Sequence, residues 1–294
     1  MAAARAPPRR SRRSQQVLSV TDSATGCEVL LVACMHFNPR SVERAASVTR
    51  GLAEEGALGA VVLETCPSRW RKVEAMQPPG SLLRGLLDNE MQAAAEEAEA
   101  AGRPVVLGDR RVEELLREVR SLAVTAASDL ASPMAGGWQR TAQEIARGLS
   151  QVAGAGRGRP GGREDGGEKG GLSDDRAALG VEDLLDVQLA LGVPVAVFRY
   201  VLSTALKAPA FAAAVAAYFA LVGALPDSPV SDAAGLALDV LTLRVLLGAV
   251  LRDRDEVLAR SVRSACGSAG RGRAVVAVLG AAHCNGVRLL LRER

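Results

Sequence analysis

At 294 residues the chain is long enough to bury one large core or two smaller ones. Apolar residues make up 48% and aromatics 3%, which favours helix over an all-β fold. A net charge of +3 without a Lys/Arg stripe among aromatics argues against a nucleic-acid partner, and five cysteines without a Cys-x-x-Cys pair point to free thiols in a reducing, intracellular compartment.

Residues 1–24 open with five arginines and two prolines and have no acid before Asp22. That composition suits a chloroplast or mitochondrial transit segment, or a basic disordered tail; both readings stay open. The folded domain is expected over 25–294. Val29–His36 is a short apolar run that stops on a histidine and reads as a strand. Asn38-Pro39-Arg40-Ser41 reads as a turn, with Ser41 capping a helix from Val42 to about Glu55 that ends at Gly56 and Gly59. Ala60–Glu64 is the next strand, so the opening is a βαβ unit and predicts a parallel sheet. Leu82–Ala101 reads as one helix, Pro104–Asp109 as the third strand and Arg110–Leu122 as the start of another helix.

A helical insertion is expected over about 123–264. Within it, Gly154–Asp175 is rich in Gly, Arg and acids and reads as disordered. Ala208–Pro226 carries no charge over its whole length. It reads as a buried helix, with a membrane segment as the alternative. Asp239–Ser264 reads as an amphipathic helix carrying Arg-Asp-Arg-Asp-Glu at 252–256, and Ala274–Leu279 is the last strand, running into Gly280-Ala281-Ala282-His283. The fold class is therefore α/β: a central, mainly parallel sheet with flanking helices and a helical insertion.

Four apolar runs thus deliver His36, Glu64, Asp109 and His283 at their ends, and His36 and His283 are the chain's two histidines. In open parallel sheets, ligands bind beyond the carboxyl ends of the strands. Imidazole with carboxylate suits a divalent metal such as Zn, Mn, Co or Fe, with open positions for an activated water. Gly108 and Gly280 allow close backbone approach. Arg69 and Arg110 orient the neighbouring carboxylates or bind an anionic substrate group. The bland alternatives are a solvent-facing histidine, structural ion pairs, and a solvated helix face for Glu90. Cys34, Cys66 and Cys284 lie near the same edge and read as buried, inert thiols, with a mixed thiolate/imidazole site as the alternative because Cys34 shares a strand face with His36. A Gly-x-Gly-x-x-Gly match at Gly156–Gly161 lacks a preceding strand and contains Pro160, so it carries no nucleotide-binding expectation.

Taken in order, these stretches resemble the TraB/PrgY (TraB-domain) family, which is related to the Tiki metalloproteases and more distantly to erythromycin-esterase and ChaN-like proteins. The resemblance rests on Ala33-Cys34-Met35-His36, Glu64-Thr65-Cys66-Pro67-Ser68-Arg69, Glu90-Met91-Gln92-Ala93-Ala94, Leu107-Gly108-Asp109-Arg110, Arg252-Asp253-Arg254-Asp255 and Gly280-Ala281-Ala282-His283 with Gly286. Ala33 stands where the family carries glycine. The resemblance implies that His36, Glu64 and His283 are ligands of a divalent metal (Zn, Mn or Co), with Glu90 or Asp109 as base or support. The substrate is then a small peptide or similar molecule, as in bacterial pheromone shutdown. The competing expectation is a non-catalytic, organelle-associated adaptor or regulator that keeps the fold.

Overall fold

The computed structural model describes residues 16–152, 179, 186–224, 228–248 and 253–293. The Gly-rich stretch 154–175 and the arginines of the N-terminus lie outside the described residues.

Five strands form one mixed sheet: β1 (Val17–Thr21), β2 (Glu28–Cys34), β3 (Leu58–Leu63), β4 (Val105–Leu107) and β5 (Ala274–Gly280). Their order is β1-β2-β5-β3-β4. β1 pairs antiparallel with β2, and the other four strands run parallel. The fold is thus α/β with a mainly parallel sheet, as the strand and helix pattern predicts. β3 and β5 are buried along their whole length, as expected of central parallel strands covered on both faces.

Alternation along the strands feeds two cores. On one face, Val32, Cys34, Val61, Leu63, Val276 and Val278 pack against α1 (Pro39–Glu54), α2 (Pro67–Met76) and α4 (Glu90–Ala100), through residues such as Ala45, Trp70 and Ala94. On the other, Val29, Leu31, Val62, Val275 and Ala277 pack against the two helices that bracket β5. These are α11 (Asp253–Ser268) and α12 (Ala281–Arg292), which contribute Leu258, Val262, Val287 and Leu291.

β2 and β3 do not pair with each other. The last strand, β5, is inserted between them, registered to Val29–Cys34 on one side and to Leu58–Leu63 on the other. The carboxyl ends of β2, β5 and β3 therefore stand side by side.

Several local expectations are corrected. β1 lies inside the stretch expected to be tail or transit segment, so the sheet begins before residue 25. Asn38, not Ser41, caps α1: its side chain accepts from the Arg40 amide, with Pro39 at the first helical position. Ser41 Oγ is buried and accepts from the Met35 amide at 3.0 Å, which fixes the loop carrying His36. The expected helix 82–101 is two helices, α3 (Leu82–Leu86) and α4, and Asn89 caps the second, so Glu90 sits in a first turn. Gly59 lies inside β3 rather than at a helix end.

The helical insertion comprises α5 (Val112–Leu130), α6 (Gly137–Val152), α7 (Val187–Leu191), α8 (Val193–Lys207), α9 (Pro209–Gly223) and α10 (Pro229–Leu247). It stops before α11, which packs on the sheet. Arg244 of α10 staples it, donating to Asp129 at 2.6 Å, Thr141 at 2.8 Å and Glu144 at 2.8 Å. Among the described residues no single helix is long and apolar enough to cross a membrane; α8 with Pro209–Ala220 of α9 passes that test only as a pair bent by 117°. α9 is not the buried helix expected over 208–226: none of its described side chains is buried.

Candidate functional site

The site forms at the carboxyl edge of the sheet, where inserting β5 crowds three strand ends. β2 runs into His36, β3 into Glu64, and β5 ends at Gly280. Glu64 is the hub. Its Oε2 accepts the Gly280 amide at 2.6 Å, while Oε1 accepts from Arg254 Nη2 at 2.6 Å and faces His283 Nε2 at 3.3 Å. A Cβ placed on Gly280 would stand 3.3 Å from Glu64 Oε2, 3.3 Å from His36 Nε2 and 3.6 Å from His283 Cδ2. Both imidazoles and the Glu64 carboxylate therefore border one point, and only glycine leaves it open.

Each imidazole is braced from behind. His36 Nδ1 donates to Glu90 Oε1 at 2.5 Å, and Glu90 Oε2 accepts the Phe37 amide at 3.0 Å. Phe37 has a left-handed backbone, φ 63°, which is uncommon for a bulky residue. His283 Nδ1 donates to Asp255 Oδ1 at 2.6 Å. Carboxylates at both Nδ1 atoms leave both Nε2 atoms turned toward Glu64 and Gly280, the arrangement in which a carboxylate behind the ring fixes the tautomer of a ligating histidine. The His36 side chain is 34% exposed, against 3% for His283 and Glu64, so the site opens to solvent on the His36 side.

Charges are tightly compensated. Burial opposes charge on His36, but Glu90 and then Glu64 outweigh it and raise its pKa to about 9. Solvent at its exposed edge screens part of that attraction. Burial likewise opposes charge on His283, while Asp255 and Glu64 raise it to about 9. Burial pushes the Glu64 carboxyl up, yet His283, His36 and Arg254 together hold it well below the usual carboxylate range. The Asp255 carboxyl is raised, mainly by burial. Asp109 is lowered against its burial by Arg254 and Arg69. Arg254 donates to Asp109 Oδ2 at 2.7 Å and Oδ1 at 3.2 Å, and Arg69 pairs with the same Oδ2.

Of the residues expected from the sequence, the structure brings together His36, Glu64, Glu90, Asp109, Arg69 and His283. Arg110 is different: its amide donates to Asp109 Oδ1, but its guanidinium turns to Glu118 on α5. Glu90 is 1% exposed and partners His36, so the solvated-face alternative for it is overturned. His283 lies in the first turn of α12 rather than at a strand end. Burial raises the Cys34 and Cys284 thiols well above their ordinary value, which fits inert thiols; Cys66 departs from that expectation, because against its burial the contacts with Ser68 at 3.3 Å and Arg69 at 3.4 Å lower its thiol.

Sequence reasoning gave no role to Asp255 or Arg254, the two α11 residues that complete the network. The available signal was the Arg-Asp-Arg-Asp-Glu run itself, five consecutive charges at the head of a helix whose apolar residues face the core. Gly286 was also given no role. A Cβ there would stand 1.8 Å from Asp255 Oδ2, so Gly286 makes room for the brace on His283.

Two imidazole nitrogens and one carboxylate form the His2Glu donor set of hydrolytic zinc sites. Among the described residues, however, no group of three His, Cys, Asp or Glu stands in ligand geometry. Both Glu64 oxygens are engaged, Oε1 by Arg254 and Oε2 by the Gly280 amide, so the donor chemistry fits a metal and the donor positions are set for hydrogen bonding. No protein-family model matches the chain, and no curated protein sequence matches it.

Proposed function

We propose that this chain is a TraB-like hydrolase of small peptides or related molecules, with its site at the carboxyl edge of the sheet and His36, Glu64 and His283 as ligands of a divalent metal of the Zn, Mn or Co class. One observation carries the reading. Two histidines from distant parts of the chain are each held through Nδ1 by a buried carboxylate and border the same carboxylate, Glu64, beside a glycine.

A bound metal would supply Lewis acidity and an ionisable water. The chain's own groups do the rest. Glu90 and Asp255 hold the two tautomers and ring orientations. The Gly280 amide and Arg254 fix the rotamer of Glu64. Arg254 and Arg69 keep Asp109 ionised, so Asp109 positions the guanidiniums rather than carrying a proton. His36, on the open side, is the group a substrate meets first.

The test is metal binding by the purified full-length protein. Calorimetric titration of chelator-treated protein with Zn²⁺ and Mn²⁺ should give one site per chain, lost in His36→Ala and in His283→Ala. Hydrolysis of a fluorogenic peptide pool should fall with it. Absence of binding, with both variants behaving as wild type, would sink the metal reading and leave an adaptor that uses the fold for its surfaces.

A further inference from the structure

We propose that α8 and α9 form a hairpin that inserts into one leaflet of a lipid bilayer. This does not rest on the hydrolase reading.

From Val187 to Pro226 the only charged residues are Arg199 and Lys207. α8 buries a narrow stripe through Ala196 and Ser203 but exposes Val197 at 56%, Phe198 at 57% and Val201 at 60%. α9 goes further. Val215, Ala216 and Ala217 are all exposed. Successive helix positions point about 100° apart, so α9 presents apolar surface on every side. Phe211 and Phe219, at 62% and 67% exposure, add two rings to that surface.

The occupant follows from this geometry. A helix apolar all round belongs in a core or in lipid. A protein partner or a second copy covers one face, with a polar rim around it. α9 has no polar face to serve as a rim, whereas lipid surrounds an inserted element. The charges agree: no acid lies between Val187 and Pro226, and the two cations turn to the body of the protein, Arg199 to backbone carbonyls and Lys207 onto the Phe37 ring at 5.7 Å, so α9 carries no charge into lipid. α3, whose Gly85 carbonyl lies 3.5 Å from Arg199 Nη2, also exposes Leu82 at 87%.

Length sets the depth. The 15 residues of α9 span about 22 Å, short of the ~30 Å hydrocarbon core. With the 117° bend at Ala208, a one-leaflet wedge fits better than a span. Arg199 ties the hairpin's root to the body, donating to the carbonyls of Asp88 at 3.2 Å and Phe37 at 3.4 Å. Tyr200 meets the Phe37 ring edge-on at 6.2 Å. Phe37 follows His36, so the open side of the site would lie close to the bilayer surface.

The test is flotation of the full-length protein on a density gradient with vesicles of phosphatidylcholine, alone or with phosphatidylserine. Wild type should float with both. The double substitution Phe211→Asp and Phe219→Asp should reduce the floated fraction roughly tenfold. Val215→Trp probes the same helix without adding charge, and its emission, compared with that of wild type, should shift to the blue when vesicles are added. A wild type that stays at the bottom in both mixtures, or a Val215→Trp variant whose emission vesicles leave unmoved, overturns the proposal; a sedimentation dimer in that case assigns the surface to a second copy.

Discussion

His36 Nδ1 donates to Glu90 Oε1 at 2.5 Å, joining the end of β2 to the first turn of α4 across 54 positions of sequence. The other oxygen of the same carboxylate accepts the amide of Phe37, whose φ of 63° is what lets the loop turn back onto α4. Glu90→Ala leaves the imidazole and that amide without their acceptor. It should destabilise the protein by about 1–3 kcal/mol in urea unfolding, with Glu90→Gln losing less because it keeps an acceptor oxygen.

Arg254 bridges Glu64 and Asp109, both almost fully buried. Arg254→Met strips the shared cation from two buried carboxylates and should cost about 3–5 kcal/mol, because a broken buried pair leaves uncompensated charge. Arg254→Lys keeps the charge but loses the fork, and should fall between wild type and Arg254→Met. Chemical denaturation at neutral pH checks both.

Two glycines shape the site by what they omit. Gly280→Ala brings a methyl to 3.3 Å from Glu64 and His36, so both must yield by a few tenths of an ångström. Gly286→Ala brings one to 1.8 Å from Asp255 Oδ2, which must leave its place. Overpacking of this kind costs about 1–3 kcal/mol, with Gly286→Ala at the upper end. Zn²⁺ affinity should fall in both, and nuclear magnetic resonance of the two imidazoles should show His283 moved more in Gly286→Ala and His36 more in Gly280→Ala.

The stability of chelator-treated protein should pass through a maximum with pH. Both histidines rise from 6.5 unfolded to about 9 folded, so their contribution is complete below about pH 6.5 and is lost as pH climbs through 9. Glu64 and Asp109 are lowered from 4.5 and 3.8, so theirs is present above those values and is lost as pH falls below them. Thermal melting from about pH 3 to pH 10 should therefore peak near pH 5–6.5. Metal binding should show the converse, tightening from about pH 6 to pH 9 as the ligands lose protons. A melting temperature flat between about pH 6.5 and 9 would contradict the assigned imidazole charges.

The apolar runs Val29–His36, Ala60–Glu64 and Ala274–Leu279 were legible as strands because fully buried parallel strands need continuous β-branched and aliphatic residues. Their polar ends, His36 and Glu64, were legible for the same reason: a chain leaving a sheet must place its first polar residue at the edge. β1 was not legible, since Val17–Thr21 follows a basic, acid-free stretch and pairs only as an edge strand. The break before Glu90 was hidden as well, because Asn89 caps a helix without interrupting the helix-forming composition around it.

Local pattern alone thus determined the α/β class, four of the five strands and the polar residues that follow three of them, while His283 is carried by the first turn of α12. The tertiary structure decided the strand order, with β5 inserted between β2 and β3, and thereby which ends are neighbours. It also decided that Glu90 and Asp255 stand behind the two histidines and that Arg110 turns away. Periodicity reports which face of an element is buried, since burial is set within a few residues. The partner of a buried charge comes from another part of the chain, and here the strand order chose it.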